Sequence, residues 1–282
     1  MIEGRRSATA ERVAMRRAAH QLYDDPVVFT DPLAFRVLSD EAAARVRNGA
    51  EEENGNAWAR GLRAFIAVRS RFAEEELAAA VERGVRQYVV LGAGLDTFAY
   101  RNSQSSLAVF EVDHPATQEW KRQRLAHAGI GIPESLRFAP VDFEHQTLLA
   151  GLEAAGFNPK QPAFFSWLGV VPYLTRDAVM STLKTIGALP SGSGVVFDYA
   201  IPRELMGEAE RRAFEFLAER VARAGEPFRS FFVPEQLAAD LRGLGFTTIE
   251  DLDGAALRAQ WFANNEQERP HGRSGHMLCA WV

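Results

Sequence analysis

Two glycines, separated by one residue, follow an apolar run in the first half of the chain. The run is Tyr88–Leu91, and the glycines are Gly92 and Gly94. Because glycine has no Cβ atom, the backbone can turn sharply there and lie directly against a ligand. Open α/β sheets bind nucleotide-like cofactors at such a turn, at the carboxyl end of the first strand. Gly-x-Gly also occurs in ordinary strand-to-helix connections, so the spacing alone leaves both interpretations open.

A carboxylate ends the next apolar run. Asp113 follows residues 107–112, about 20 residues after the glycine turn, where nucleotide-binding sheets place an acid beside the ribose. A carboxylate suits that position because it accepts charge-assisted hydrogen bonds from both ribose hydroxyls. Pro115 begins a predicted helix soon afterwards, so Asp113 could also serve as the N-cap of that helix.

An acid and an aromatic ring follow the third apolar run. Asp142 and Phe143 come directly after residues 136–141. The carboxylate could accept a hydrogen bond from the exocyclic amine of a purine while the ring stacks on the base. Asp142 could instead cap a helix that begins near His145. Because the carboxyl ends of parallel strands meet at one edge of a sheet, the three positions together predict one cofactor site.

The elements that must hold these positions alternate between strands and helices. We predict strands near residues 87–91, 107–112, 136–140, 162–167, 194–199, 246–250 and 276–281. The clearest helices are predicted at residues 114–128, 176–187, 203–224 and 234–244. This alternation predicts an α/β fold with a seven-stranded, mostly parallel sheet and helices on both faces. The last two strands are expected to form a terminal hairpin with an antiparallel edge strand.

The segment before the first strand has helical periodicity. Apolar residues beyond residue 57 recur at three- and four-residue spacing, which predicts one long helix ending near Arg83. We therefore expect an N-terminal helical cap region over residues 1–84 and a sheet-containing core over residues 85–282, with a helical insertion around residues 201–235. A basic cluster near the N-terminus is interpreted as a solvated helix face; it comprises Arg5, Arg6, Arg12, Arg16 and Arg17.

Composition and charge restrict the classes of protein. The chain has 282 residues, 47% of them hydrophobic and 24% charged, which is typical of a folded globular protein. A net charge of −5 provides no general attraction for nucleic acid or for an anionic membrane surface. The apolar stretch 162–174 is shorter than the roughly 20 residues that span a bilayer, and no secretory signal pattern is present, so a cytoplasmic location is expected. Cys279 is the single cysteine, and no Cys/His spacing predicts a metal site.

Several short motifs together resemble those of a known family. They are Leu91–Thr97 with Tyr100 and Arg101, Glu111–Pro115, Val141–Phe143, Asp31–Ala34 and Ile66–Phe72. Over roughly residues 10–200 the chain resembles the leucine carboxyl methyltransferase-like family of S-adenosylmethionine-dependent methyltransferases, whose bacterial branch consists largely of inferred O-methyltransferases. The resemblance implies a class I methyltransferase fold, which is Rossmann-like.

The resemblance also implies S-adenosylmethionine as the cofactor and assigns residues to its parts. In this family an arginine before the first strand pairs with the methionine carboxylate; Arg69 matches it best, and Arg71 is the second choice. Arginine suits this role because its planar fork meets a carboxylate with two hydrogen bonds. Gly92 and Gly94 would lie along the methionine part of the cofactor, and Asp113 would bind the ribose.

The adenine and the N-terminal helices receive further assignments from the same resemblance. Asp142 and Phe143 would contact the adenine. Arg17 or His20 would add a contact from the N-terminal cap region.

One position departs from the family pattern. After the fourth strand, family members commonly carry an acid in a Glu-Gly-x-x-x-Tyr-Leu pattern that contributes to the cofactor pocket. Here Leu168 stands in place of the acid, while Gly169, Tyr173 and Leu174 keep the pattern. A backbone carbonyl of Leu168 or Gly169 would then have to make the contact, or the cofactor would bind less tightly.

The function predicted from these features is O-methylation of a carboxylate or hydroxyl group on a small molecule. A carboxylate acceptor needs no general base because it is ionised near neutral pH. A hydroxyl acceptor would need a nearby His, Asp or Tyr. Candidate residues for the acceptor pocket are Tyr173, Tyr199, Arg203, His271 and Arg273.

Two alternatives stay open at this level. A nicotinamide-dependent oxidoreductase would also use Gly92, Gly94 and Asp113, but Thr97 replaces the third glycine of its fingerprint. Asp96 would also repel a pyrophosphate at the start of the following helix. A non-catalytic, cofactor-binding regulatory protein is the second alternative, and Leu168 in place of the acid is the feature that favours it.

Overall fold

One seven-stranded sheet organises the structure. The structure is a computed structural model that describes residues 8–49, 57–141, 147–223, 225–262 and 275–282. The strands are β1 (Gln87–Leu91), β2 (Ala108–Asp113), β3 (Leu136–Pro140), β4 (Phe164–Trp167), β5 (Gly194–Ala200), β6 (Thr248–Leu252) and β7 (Gly275–Trp281). Their order in the sheet is β3-β2-β1-β4-β5-β7-β6. The predicted seven-stranded, mostly parallel sheet is confirmed.

The C-terminal part of the sheet differs from the prediction. Strand β7 lies between β5 and β6 and is antiparallel to both, so β6 is the edge strand. The last two strands pair antiparallel as predicted, but they do not form a simple hairpin, because the connection between them contains a helix, Gly254–Trp261. Asp253 caps that helix by accepting hydrogen bonds from the amides of Ala255 and Ala256.

The helices are α1 (Ala8–Tyr23), α2 (Asp40–Arg47), α3 (Ala57–Glu82), the single turn α4 (Phe98–Arg101), α5 (Pro115–His127), α6 (Leu148–Ala154), α7 (Arg176–Gly187), α8 (Glu208–Arg223), α9 (Pro234–Gly243) and α10 (Gly254–Trp261). Short 3-10 turns cover Val171–Tyr173 and Arg203–Leu205. The predicted helix over residues 203–224 is therefore interrupted, since Arg203–Leu205 forms a separate turn before α8.

Among the described residues, no helix combines the length and the apolar composition that crossing a bilayer requires.

Alternate residues of the central strands face two apolar layers. Phe165 and Trp167 of β4 belong to a core that includes residues of α6, α7 and α9. Phe164 faces the opposite way, into a core that includes Ala67 and Phe72 of α3. Strand β1 is buried along its whole length, as expected for a strand covered on both faces. The layer that contains α3 is the one that carries the candidate site.

A third apolar cluster joins the N-terminal helices to the sheet. It contains Met15 of α1, Val46 of α2, and Trp120 and Leu125 of α5, together with Leu95 of the glycine turn. Burial of these side chains holds α1 and α2 against the loop that follows β1. The division of the chain at residue 84 stays a prediction, and α3 packs directly on the sheet.

Candidate functional site

The candidate site lies where the strand order reverses, between β1 and β4, at the carboxyl ends of the strands. Ligands of open α/β sheets bind at this switch point. Gly92 and Gly94 have φ values of +66° and +43°, a region that favours glycine. A Cβ atom on Gly92 would also lie 2.4 Å from Cγ2 of Val170. The turn therefore requires glycine at position 92 for both conformation and packing.

Asp113 holds the glycine turn from the neighbouring strand. Its Oδ2 accepts a hydrogen bond of 2.7 Å from the amide of Gly94, and its Oδ1 accepts one of 2.7 Å from the amide of His114. Burial raises the pKa of Asp113, and the two amide hydrogen bonds partly offset that effect. A carboxylate has about four acceptor sites, so capacity for further hydrogen bonds remains. The N-cap of α5 is His114, whose Nδ1 accepts from the amide of Ala116.

Buried ion pairs connect the glycine turn to the N-terminal segment. Arg17 donates a hydrogen bond of 2.7 Å to the carbonyl of Leu95 and lies 3.1 Å from Oδ2 of Asp31. The hydroxyl of Thr97 donates a hydrogen bond of 2.7 Å to the same oxygen of Asp31. Nε of Arg101 lies 3.8 Å from the other oxygen, Oδ1 of Asp31. Arg17, which the sequence predicted as a possible cofactor contact, thus reaches the backbone of the turn. Asp31, Thr97 and Arg101, all from the family motifs, form one network that positions the loop.

The arginines of α1 are not a solvated face. Arg16 is 6% exposed and Arg17 is 5% exposed, so the prediction made from the basic cluster is wrong for both. Burial of charged guanidinium groups requires carboxylates or carbonyls nearby, and Asp31 supplies one. Arg5 and Arg6 lie outside the described residues.

Asp96 lies two residues before the helical turn α4. Its Oδ1 accepts a hydrogen bond of 2.8 Å from the amide of Phe98. The carboxylate therefore takes the place where a phosphate would meet the amides at the start of this turn.

His20 is occupied within the interior of the N-terminal segment. It is fully buried; its Nε2 accepts from the amides of Val28 and Phe29 at 3.0 and 3.3 Å. Nδ1 therefore carries the proton and donates to Asp24 at 2.6 Å. Burial opposes ionisation of Asp24, but hydrogen bonds from His20 and Arg63 outweigh it and lower the pKa of this carboxyl group.

Arg69 of α3 reaches the sheet edge and meets an acid that the sequence analysis did not single out. Its Nη1 lies 3.2 Å from Oδ2 of Asp198, which follows Phe197 in β5. Oδ1 of Asp198 accepts a hydrogen bond from the amide of Gly169. Gly169 has a φ of +69°, and a Cβ atom there would lie 2.7 Å from Nη2 of Arg69. The guanidinium group thus packs directly on a glycine backbone, held by Asp198.

The signal for Asp198 was present in the sequence: like Asp113, it is an acid near the carboxyl end of an apolar strand. Leu168, in contrast, is half-buried and packs against the apolar layer shared with α3. Its side chain contributes no charge to the site.

A small cavity opens beside Arg69. It has a volume of about 70 Å³ and lies between α1, α3, the turn after β4 and α8. Four arginines line it, Arg12, Arg16, Arg69 and Arg220, and the part of the chain that the structure describes adds no carboxylate to the lining. The remaining lining residues are Thr9, Val13, Leu62, Ile66, Gly169, Tyr173, Leu217 and Val221. A cavity with cationic and apolar walls suits an anionic ligand that has an apolar body.

The predicted acceptor residues are distributed differently. Tyr173 lines this cavity, its ring is tilted against that of Phe228 with the centroids 5.2 Å apart, and burial raises its pKa to about 12. Tyr199 faces the other side of the sheet, where it donates to Asp251 and lies 3.3 Å from Nδ1 of His276. Neighbouring residues of a strand point to opposite faces, so Tyr199 does not share the face on which Asp198 meets Arg69.

The other predicted site residues are placed as follows. Arg203 is exposed, and its guanidinium lies 5.9 Å from the ring centroid of Phe214. Arg71 is half-exposed and pairs with Glu75 on its own helix, so Arg69 is the arginine that reaches the sheet edge. The predictions for Asp142, Phe143, His271 and Arg273 fall outside the described residues.

Known proteins resemble this chain in sequence over most of its length. The sequence profile of the family described as leucine carboxyl methyltransferase matches residues 10–187. A Bacillus subtilis protein named "Putative S-adenosyl-L-methionine-dependent methyltransferase YktD" is 32% identical over 99% of this chain and 99% of its own length. A Mycolicibacterium smegmatis protein named "Putative S-adenosyl-L-methionine-dependent methyltransferase" is 31% identical over 92% of this chain and 80% of its own length.

Solved structures share the fold at low sequence identity. The crystal structure titled a "putative methyltransferase" from Thermobifida fusca superimposes with a TM-score of 0.60 at 16% identity, covering 99% of this chain and 96% of that chain. A DUF574 family protein from Streptomyces avermitilis superimposes with a TM-score of 0.54 at 16% identity, covering 88% and 94%. Similarity at this level establishes the fold class.

Proposed function

This chain belongs to the leucine carboxyl methyltransferase family, and we propose that it uses S-adenosylmethionine to methylate a carboxylate oxygen of a small molecule. The observation that carries the proposal is the cavity beside Arg69, which has four arginines and apolar walls. An anionic acceptor is attracted to such a cavity, and a carboxylate is ionised near neutral pH without help from a base. A hydroxyl acceptor would need a base, but the described lining has no carboxylate or imidazole, and Tyr173, with a pKa of about 12, stays protonated near neutral pH.

The residues at the switch point fit the cofactor that the family uses. The cofactor supplies an activated methyl group on a sulfonium. We propose that the glycine turn lies along its methionine part and that the free acceptor sites of Asp113 bind the ribose hydroxyls. We propose that Arg69 binds the methionine carboxylate, and its burial at the same sheet edge supports this role. Asp142 and Phe143 are proposed for the adenine.

The protein's own contribution to the reaction is orientation. Methyl transfer is an in-line displacement, so holding the acceptor oxygen opposite the leaving group provides much of the rate enhancement. In this proposal Arg12, Arg16 and Arg220 hold the acceptor carboxylate. Tyr173, with a pKa of about 12, stays protonated at neutral pH and donates a hydrogen bond to the acceptor. The apolar side chains of the lining exclude water.

We propose that α1 covers the site and moves outward to admit ligands. The cavity of about 70 Å³ is smaller than the roughly 300 Å³ at which ligand pockets begin. Ala10 of α1 lies 3.1 Å from where a Cβ atom of Gly94 would be, and the hydroxyl of Thr9 donates to Glu226. In this closed arrangement α1 lies over the glycine turn. The proposal gives the predicted N-terminal cap region a functional role.

The alternatives are weaker. Family membership argues against a nicotinamide-dependent oxidoreductase, and so does Asp96, whose carboxylate occupies the start of α4. A purely regulatory role was favoured by the missing acid at Leu168, but Asp198 places a carboxylate at the same sheet edge.

The test is transfer of a labelled methyl group from S-adenosylmethionine into a metabolite extract that has been separated by anion exchange. We expect label to appear in compounds from the anionic fraction. Label confined to the neutral fraction would contradict a carboxylate acceptor, and no incorporation into any fraction would favour the regulatory alternative.

A further inference from the structure

Position 168 and position 198 are neighbours across two parallel strands. The register of β4 and β5 pairs Phe164 with Gly194 and Ser166 with Val196. The last pair is Trp167 with Phe197, and one pair further, directly after the end of β4, the same register places Leu168 opposite Asp198. Residues two apart on a strand share a face, and paired strands lie about 4.8 Å apart. A side chain at 168 and one at 198 therefore reach the same region of the site.

Asp198 is the acid that occupies this region. It is 6% exposed, with one oxygen on the guanidinium of Arg69 and the other on the amide of Gly169. A buried carboxylate and a buried guanidinium side by side form a matched pair of charges. Each keeps hydrogen-bonding capacity for a second partner, because a carboxylate has about four acceptor sites and a guanidinium five donors.

We propose that Asp198 is a cofactor-binding residue that accepts hydrogen bonds from the ammonium group of the cofactor's methionine part. The inference rests on the proposed function, in which Arg69 binds the carboxylate of the same amino-acid group. An α-amino acid presents one cation and one anion on adjacent atoms, and the Asp198–Arg69 pair presents their counterparts 3.2 Å apart. Charge-assisted hydrogen bonds in a buried site are the strong ones. Leu168, being apolar, leaves this task to the neighbouring strand.

Asp198 also pairs with Arg69 and accepts a hydrogen bond from the amide of Gly169. The test must therefore separate ligand binding from stabilisation of the loop after β4. Two probes do so: S-adenosylhomocysteine carries the amino-acid group, whereas 5′-methylthioadenosine has the same adenosine and sulfur without it. Their affinities are measured by titration calorimetry for the wild-type protein and for Asp198→Asn. Asp240→Asn is the matched control, because Asp240 is an exposed acid paired with Arg176 on α7.

We expect Asp198→Asn to weaken S-adenosylhomocysteine binding by about 10- to 100-fold while the affinity for 5′-methylthioadenosine stays within about twofold of wild type. Equal losses for both probes would show that Asp198 only supports the loop and would overturn the inference. Unchanged affinity for both would overturn it as well. If the wild-type protein binds neither probe, the proposed function itself fails.

A second variant tests whether the two positions are interchangeable. Adding Leu168→Glu to Asp198→Asn returns a carboxylate to the same region from the neighbouring strand. We expect this double variant to bind S-adenosylhomocysteine about tenfold more tightly than Asp198→Asn alone. Failure to regain affinity, in a protein that still binds 5′-methylthioadenosine, would contradict the proposal that an acid at either position serves the ammonium group.

Discussion

At the scale of single residues, the charged side chains of the site act on one another as well as on ligands. Asp113 holds the amide of Gly94, and Asp198 holds both Arg69 and the amide of Gly169. Asp113 and Arg69 could be predicted because each stands in a motif with fixed spacing. Asp198 was missed although it also stands near the end of an apolar strand, because its contact with Arg69 and its closeness to position 168 depend on strand register, which linear spacing does not reveal.

Replacement of Asp113 tests the ribose site. Asp113→Ala removes two acceptor sites proposed for the ribose hydroxyls and should weaken S-adenosylhomocysteine binding by about 10- to 100-fold. Because a ligand that binds only the folded state raises the melting temperature, the upward shift seen with wild type should largely disappear. Asp240→Ala, at the exposed ion pair with Arg176, should keep the shift. A normal shift for Asp113→Ala would mean that the ribose binds elsewhere.

Replacement of Tyr173 tests the acceptor site. Tyr173→Phe removes one hydrogen bond to the acceptor and should lower kcat/KM for the acceptor by about tenfold, with the KM for S-adenosylmethionine unchanged. Because the pKa of Tyr173 is raised to about 12, the wild-type pH profile should show no loss of activity from its ionisation between about pH 6 and 9. Unaltered kcat/KM would place Tyr173 outside the acceptor site.

The buried ion pair of Glu111 and Lys121 predicts a pH dependence of stability; Glu111 lies in β2, two residues before Asp113. Glu111 is 1% exposed, and Lys121 lies 2.8 Å away. Burial raises the pKa of Glu111 from 4.5 to about 7, against the opposing effect of Lys121. Between these values the folded state binds more protons than the unfolded state, so this group makes the free energy of unfolding fall as the pH rises through that window.

The double variant Glu111→Gln with Lys121→Met removes both charges and avoids leaving Lys121 buried alone. Its free energy of unfolding, measured by urea denaturation, should depend less on pH between about pH 4.5 and 7 than that of wild type. An identical slope in the two proteins would contradict the raised pKa of Glu111.

At the scale of elements, strands were more predictable than their connections. Short apolar runs bounded by Gly and Pro located β1 and β5 closely because both strands are buried on two faces. The connection between β6 and β7 was misjudged because a short helix, α10, lies between them, with Asp253 as its cap. The burial of Arg16 and Arg17 was also missed, because helical periodicity does not show that another layer covers α1.

Helix α1 should respond to ligand more than the other helices do. If α1 moves outward to admit the cofactor, its backbone amides open more readily in the free protein than those of helices packed on the sheet, such as α3 and α7. Hydrogen exchange is followed by mass spectrometry, with α7 as the reference helix. S-adenosylhomocysteine should slow exchange in α1, over residues 9–20, more than in α7. Equal protection of both helices, or none in α1, would argue against a moving cover.

At the scale of the whole molecule, the sheet order β3-β2-β1-β4-β5-β7-β6 brings distant residues to one edge. Gly94, Asp113, Arg69 and Asp198 come from four separate parts of the chain and meet where the strand order reverses. The molecule carries a net charge of −5, yet the cavity is lined by four arginines. Local charge, rather than the total, therefore determines which ligands the site attracts.

If a carboxylate receives the methyl group, the product is a methyl ester, which base cleaves. Two acceptors are incubated with S-adenosylmethionine that is labelled at the methyl group. They have the same apolar body, and one carries a carboxylic acid where the other carries a primary alcohol. We expect labelled product from the acid alone, and treatment with mild base should release the label as volatile methanol, because methyl esters hydrolyse under those conditions and methyl ethers do not. Label transferred to the alcohol, or label retained in the product after treatment with base, would contradict methylation of a carboxylate.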